Sequence, residues 1–208
     1  MVTEVDVGLS EPEPKSRAGF LRYSCEITLD PNTANTNLVL SEGNRKVTRT
    51  DNNQSYSSHP YRFTDYYQVL SRESLTGRCY WEVEWSGLLV NVAVAYKNIS
   101  RKGQNECIFG YNDKSWALDC FRSTFGHNNI WTSVSGPVSS RVGVYLDHRA
   151  GILSFYSVSE TMTLLHRVQT RFTQPLLAGV WVYYTGDSAE FCKPKKIFSL
   201  IVDQVSWF

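Results

Sequence analysis

Polar and apolar positions alternate with a period of two along much of the chain. From Cys79 to Trp85, the residues Trp81, Val83 and Trp85 share one side, while Tyr80, Glu82 and Glu84 share the other. Leu88, Val90, Val92, Val94 and Tyr96 repeat the pattern, with Asn91, Ala93 and Ala95 between them. Successive side chains of a strand point to opposite faces, so each stretch predicts a strand with one buried face and one lighter face. Val142, Val144 and Leu146 alternate into Asp147-His148-Arg149-Ala150-Gly151, after which Ile152 to Tyr156 resume. That predicts a hairpin, because a glycine closes its loop where positive φ is needed. Thr161 to Phe172 fits both a helical and a strand spacing; its threonines and its surroundings favour a strand. No stripe of helical period persists beyond three turns. Many short strands with frequent turns predict an all-β sandwich of two antiparallel sheets.

The two ends read differently. Residues 1–19 carry Glu11, Pro12, Glu13, Pro14, Lys15 and Arg17, with almost nothing to bury after Leu9, and are expected to form an extended polar linker. Near the other end Lys193, Lys195 and Lys196 precede an apolar stretch that finishes in Trp207-Phe208, an atypical tail over residues 193–208.

Charge removes several classes of function. Lys+Arg 21 against Asp+Glu 20 leaves a formal net charge of +1, which gathers no phosphate, so nucleic acid is not expected as a partner. No apolar run approaches the length of a membrane span. Met1 to Ser10 lacks the basic start and apolar stretch of a secretory signal. The five cysteines, Cys25, Cys79, Cys107, Cys120 and Cys192, are odd in number and widely spaced, as in a reducing, cytoplasmic compartment. The sequons at Asn53 and Asn98 are then chance matches.

Catalysis finds little support. Cys120, with His127 seven residues on and Asp119 beside it, is the best local nucleophile candidate, but no nucleophile elbow or similar frame accompanies it. The four histidines are scattered singly, with His148 on the hairpin loop expected in solvent, so no metal site is expected. Gly43-Asn44-Arg45-Lys46 and Arg101-Lys102-Gly103 are basic turns without the glycine pattern of a phosphate cradle. No enzyme activity and no cofactor are expected. What remains is surface recognition. Tyr (12) and Trp (6) supply broad contact area at low entropic cost, and Phe121, Phe125, Trp131, Tyr183 and Tyr184 fall in loop-like stretches.

Four segments, in order, carry a family resemblance. Leu29-Asp30-Pro31-Asn32-Thr33-Ala34-Asn35, followed by Leu38 to Ser41, resembles the opening of a PRY segment. Gly77 to Trp85, Asp113 to Leu118, and Arg141 to Asp147 with Ala150-Gly151 and Ser154-Phe155-Tyr156 are similar to three successive SPRY motifs. The wording is closest to fish PRY-SPRY domains, which end NLR-type receptors, tripartite-motif proteins and stonefish pore-forming toxins. The resemblance implies a bent sandwich with a PRY segment at 20–75 and a SPRY domain at 76–192. It also implies a cytosolic innate-immune recognition module that binds a protein or peptide through loops at one end. In a tripartite-motif ubiquitin ligase that module selects the target, and the parent's other domains set the oligomeric state. The alternative is a secreted toxin subunit in which the domain aids assembly or surface binding. Carried over by position from antibody-binding tripartite-motif relatives, the contact residues are Lys97, Asp119, Phe121 and Tyr184. Asp119 and Lys97 differ in type from those relatives, so antibody is not the implied ligand. The polar loop from Thr50 to Pro60 is a further candidate rim.

Overall fold

The computed structural model describes residues 11–194. Among them a short helix, α1 (Arg17–Leu21), precedes β1 (Leu38–Ser41), β2 (Lys46–Arg49), β3 (Gln68–Leu70), β4 (Arg78–Ser86), β5 (Val90–Tyr96) and β6 (Ser115–Asp119). There follow β7 (Thr124–His127), β8 (Ile130–Ser133), β9 (Arg141–Asp147), β10 (Ile152–Val158), β11 (Met162–Gln169), β12 (Leu176–Val182) and β13 (Ser188–Phe191). Seven strands form one antiparallel sheet in the order β1-β2-β13-β4-β9-β10-β11. Six form the other, in the order β3-β12-β5-β6-β7-β8. The all-β sandwich of two antiparallel sheets is therefore as expected. Trp81 and Val83 of β4, Val144 of β9, Phe155 of β10, Val92 and Val94 of β5, Leu118 of β6 and Val180 of β12 share the main core.

The expected hairpin is β9 and β10, and Gly151 closes it at φ +74° with its Cα against the Thr170 carbonyl, where an added Cβ would come within 1.7 Å. The ambiguous stretch is a strand, β11, whose pairing with β10 shifts register between Phe155 and Tyr156.

Four expectations change. The lighter face of β5 is buried too, because Ile99, Cys107, Ile108 and Phe109 fold over Ala93, Ala95 and Ala117. Small side chains on that face let the 97–112 segment lie close to the sheet. Leu88 does not belong to the strand, which starts at Val90; it is exposed in the preceding turn. From Glu11 onward the expected linker lies against the seven-stranded sheet. Ser16 caps α1 by accepting from the Gly19 amide, Phe20 packs among Tyr80, Tyr145 and Tyr156, and the Arg17 guanidinium forks onto Glu82 at 2.7 and 2.8 Å. Glu13 accepts from Tyr156, Ser154 and Arg167. Its charges are paired in place rather than solvated. Finally, Cys25 and Cys79 are joined in a disulfide with Cα atoms 5.5 Å apart, because the bridge between Ser24 and Tyr80 sets their segments side by side. The apolar tail lies outside the described residues from Lys195 onward.

Candidate functional site

Three connections meet at one end of the sandwich. They are the turn from β4 to β5, the turn from β6 to β7, and the loop from β12 to β13. Register brings them together, since Asn91 near the start of β5 lies opposite both Asp119 at the end of β6 and Trp181 near the end of β12. Asp187, 2% exposed, ties the first connection to the third. Its carboxylate accepts from the Leu88 amide at 2.9 Å, the Leu89 amide at 3.1 Å and the Tyr184 amide at 2.9 Å. Gly87 permits the approach: its φ is +120°, and a Cβ there would sit 2.0 Å from Asp187 Oδ1. Asp119 organises the second connection, accepting from the Phe121 amide at 3.1 Å, the Arg122 amide at 2.9 Å and Arg122 Nη1 at 3.3 Å. This is an Asx-type turn, in which a carboxylate replaces a backbone acceptor.

Between the pinned loops lies a hollow of about 220 Å³ lined by Leu88, Leu89, Asp119, Phe121, Arg122 and Tyr184. Leu88 is 58% exposed, Phe121 60% and Tyr184 48%. Large apolar side chains are thus left open on turns held by buried carboxylates. The 50–60 loop borders it. The Thr185 hydroxyl donates to Asp51, and the Gly186 amide donates to the Arg49 carbonyl.

The four residues carried over by position separate into three roles. Phe121 and Tyr184 are open walls of the hollow. Asp119 is buried and shapes the turn instead of offering a contact. Lys97 stands just beyond the opposite end of β5, roughly 20 Å away at the rise of a strand. There its ammonium lies 5.0 Å over the Tyr61 ring. Leu88, Leu89, Arg122 and Asp187 were not foreseen. Turn glycines at Gly87 and Gly186 were the available signal for the loops, while the partners of Asp187 are 98 and 99 positions away. Of the remaining loop aromatics, Phe125 is a core residue stacked on His166 at 3.9 Å, and Trp131 lies across Gly126 and Gly110. Tyr183 is exposed beside Tyr184.

No nucleophile is assembled from Cys120 and His127. Burial, and then the charge of Asp119, push the Cys120 thiol well above its ordinary pKa, the direction opposite to the one a thiolate nucleophile needs. His127 instead sets Nδ1 2.8 Å from the Ser115 carbonyl and stacks on Trp116. His148, expected in solvent, is half-buried with Nε2 2.6 Å from the Gln174 carbonyl. Among the described residues no three His, Cys, Asp or Glu side chains converge as a metal-holding group, and no helix is long and apolar enough to cross a membrane.

Residues 27–75 match the SPRY-associated domain, PRY, and residues 78–196 match the SPRY domain. The chain belongs to the PRY-SPRY family. SPRY domains are modules that bind proteins or peptides and are not a catalytic family. This PRY-SPRY chain is similar to Tripartite motif-containing protein 16 of Mus musculus, 42% identical over 180 residues that cover 83% of the chain and 32% of that protein. It is also similar to Stonustoxin subunit beta of Synanceia horrida, 40% identical over 168 residues that cover 77% of the chain and 24% of that subunit. The chain thus spans about a third or less of these relatives. Among solved structures, the stonustoxin structure superposes with a TM-score of 0.77 at 37% identity, covering 85% of the chain and 28% of its own. The crystal structure of the TRIM65 PSpry domain superposes with a TM-score of 0.74 at 27% identity, covering 88% of the chain and all of that domain.

Proposed function

We propose that this PRY-SPRY domain is the non-catalytic recognition module of a cytosolic innate-immune protein, either an NLR-type receptor or a tripartite-motif ubiquitin ligase. It binds a peptide segment of its partner in the loop-end hollow. The observation that carries this reading is the trio Leu88, Phe121 and Tyr184, open to solvent on turns that Asp119 and Asp187 hold rigid. A rigid apolar centre with a polar surround, here Arg122 and the 50–60 loop, is the usual anatomy of an affinity-carrying contact. Within a ligase parent the module would select the target, and the ligase chemistry would belong to other domains.

The test is a displayed library of random dodecapeptides, panned on the 208-residue chain and on its Phe121→Ala/Tyr184→Ala variant. Peptides retained by the native chain and lost by the folded variant support the reading. Peptides that bind both alike, or none at all, overturn it.

One observation favours a second reading, a secreted toxin subunit in which the domain aids assembly or surface binding. Cys25 and Cys79 are bridged, and both sequon asparagines, Asn53 and Asn98, are exposed. Peptide mapping of the protein from its native source separates the two readings. An oxidised Cys25–Cys79 pair with glycan on Asn53 or Asn98 favours secretion; free thiols and bare asparagines favour the cytosol.

A further inference from the structure

Beside the hollow lies a polar pair that the fold leaves without partners. Residues opposite one another across the six-stranded sheet form the row Gln68, Trp181, Asn91, Asp119, Thr124 and Ser133. The row faces away from the main core, on the side of Ala93, Ala117 and Leu177. Asp119 uses its carboxylate on the 121–122 turn, and Gln68 bonds the Cys107 carbonyl and the Phe109 amide. Between them, Asn91 Oδ1 and Trp181 Nε1 are buried and have no hydrogen-bond partner among the described residues. Asn91 is only 1% exposed. A buried polar group without a partner destabilises the fold and calls for an explanation, and a ligand that supplies the missing partner is one. Leu89 connects the two places. It lines the hollow and also packs on the cluster that contains Trp181.

We propose that Asn91, with Trp181, reads a side-chain carboxamide on the bound peptide, an Asn or Gln next to the apolar residue gripped by Leu88, Phe121 and Tyr184. This rests on the recognition reading above. The pair offers one acceptor, Oδ1, and one donor, Nε1–H. A carboxamide answers both, its NH₂ donating to Asn91 and its carbonyl accepting from Trp181. A carboxylate would leave Oδ1 unanswered and would stand beside Asp119, the next residue in the row. An ammonium would satisfy Oδ1, leave the indole N–H unpaired, and meet the exposed guanidinium of Arg122. On this assignment the carboxamide enters past Leu89, which touches both places.

The same dodecapeptide library tests this, panned on the native chain and on its Asn91→Leu and Asn91→Asp variants. Leu shares the branching of Asn and removes the unpaired amide but is the bulkier residue, so the melting temperature of Asn91→Leu is measured first and binding is compared on the folded protein. The native consensus should carry Asn or Gln at a fixed offset from an aliphatic or aromatic residue. Asn91→Leu should keep the apolar preference, lose the carboxamide, and bind the native consensus peptide about tenfold more weakly. Asn91→Asp, which sets a second carboxyl beside Asp119, should lose the carboxamide from its consensus. A native consensus without Asn or Gln, or the same consensus on all three proteins, overturns the assignment; a water bridging the pair would give that second result. In either case the dependence on Phe121 and Tyr184 keeps the recognition reading standing. Peptides indifferent to Phe121 and Tyr184 overturn both.

Discussion

Glu82 and Asp187 are both buried carboxylates, and the fold uses them in opposite ways. Glu82, on the outer face of the seven-stranded sheet, faces two cations, Arg17 at 2.7 Å and Arg141 at 3.3 Å, and accepts from the Tyr80 hydroxyl at 2.7 Å. It closes a seam, fastening the N-terminal segment to β4. Asp187, at the loop end, meets no cation in hydrogen-bond range among the described residues and uses its oxygens on three backbone amides. It orders two loops so that Leu88 and Tyr184 can stay exposed. Of these two, the carboxylate with cation partners closes a seam, and the one with backbone partners orders the open loops.

The largest effect should follow from opening the second arrangement. Asp187→Ala leaves three amides without an acceptor at once and should cost about 3 kcal/mol, with loss of binding to any peptide selected on the native chain. Gly87→Ala should mimic it through the left-handed backbone and the overlap with Asp187, and should cost about 2 kcal/mol. Chemical denaturation with fluorescence titration of a labelled peptide reads both quantities. If Asp187→Ala loses stability but keeps binding, the loops are not ordered for recognition.

Breaking the closed side should cost stability alone. Glu82→Gln removes the anion from between Arg17 and Arg141 and should cost about 2 kcal/mol while leaving peptide affinity unchanged. The same residue predicts a pH dependence. Burial would raise the Glu82 pKa, but the Arg17 and Tyr80 hydrogen bonds and the charges of Arg17 and Arg141 outweigh it, holding the carboxyl below its ordinary 4.5. A folded pKa below the unfolded one gives stability that is complete above 4.5 and lost as pH falls through the folded value. The native chain should therefore lose stability below about pH 4.5 more steeply than Glu82→Gln, the two converging in acid. Parallel acid curves would show that Glu82 is not the group that responds.

How much of this could be read in the chain follows from the range of each interaction. Strands β4, β9 and β10 were legible because alternation between neighbours fixes which side chains face the core, and Gly151 marks its own turn. Leu88 defeated the same logic, since it keeps the period of β5 while Gly87 and Asp187 pull its backbone out of the strand. The docking of residues 11–17 was invisible for a different reason. Glu and Arg in such a stretch look solvated until their partners are known, and the partners of Arg17 and Glu13 lie 65 to 154 positions away. Phe121 and Tyr184 were found through family resemblance, whereas the carboxylates that position them appear only once β5, β6 and β12 are aligned.

The smallest effect should come from Lys97, and it bears most directly on where the open side ends. The ammonium is exposed beyond the far end of β5 and rests over Tyr61, while nearby Arg101 donates to the Tyr61 and Ile99 carbonyls. An exposed cation over one ring contributes little to stability. Lys97→Glu should change stability by less than about 0.5 kcal/mol and peptide affinity by less than about twofold, whereas Arg122→Glu should alter affinity at unchanged stability. A tenfold loss of affinity in Lys97→Glu would mean that the bound segment runs the length of β5, some 20 Å, rather than ending in the hollow. The contact surface would then be the outer flank of the six-stranded sheet, with Asp187 shaping only one end of it.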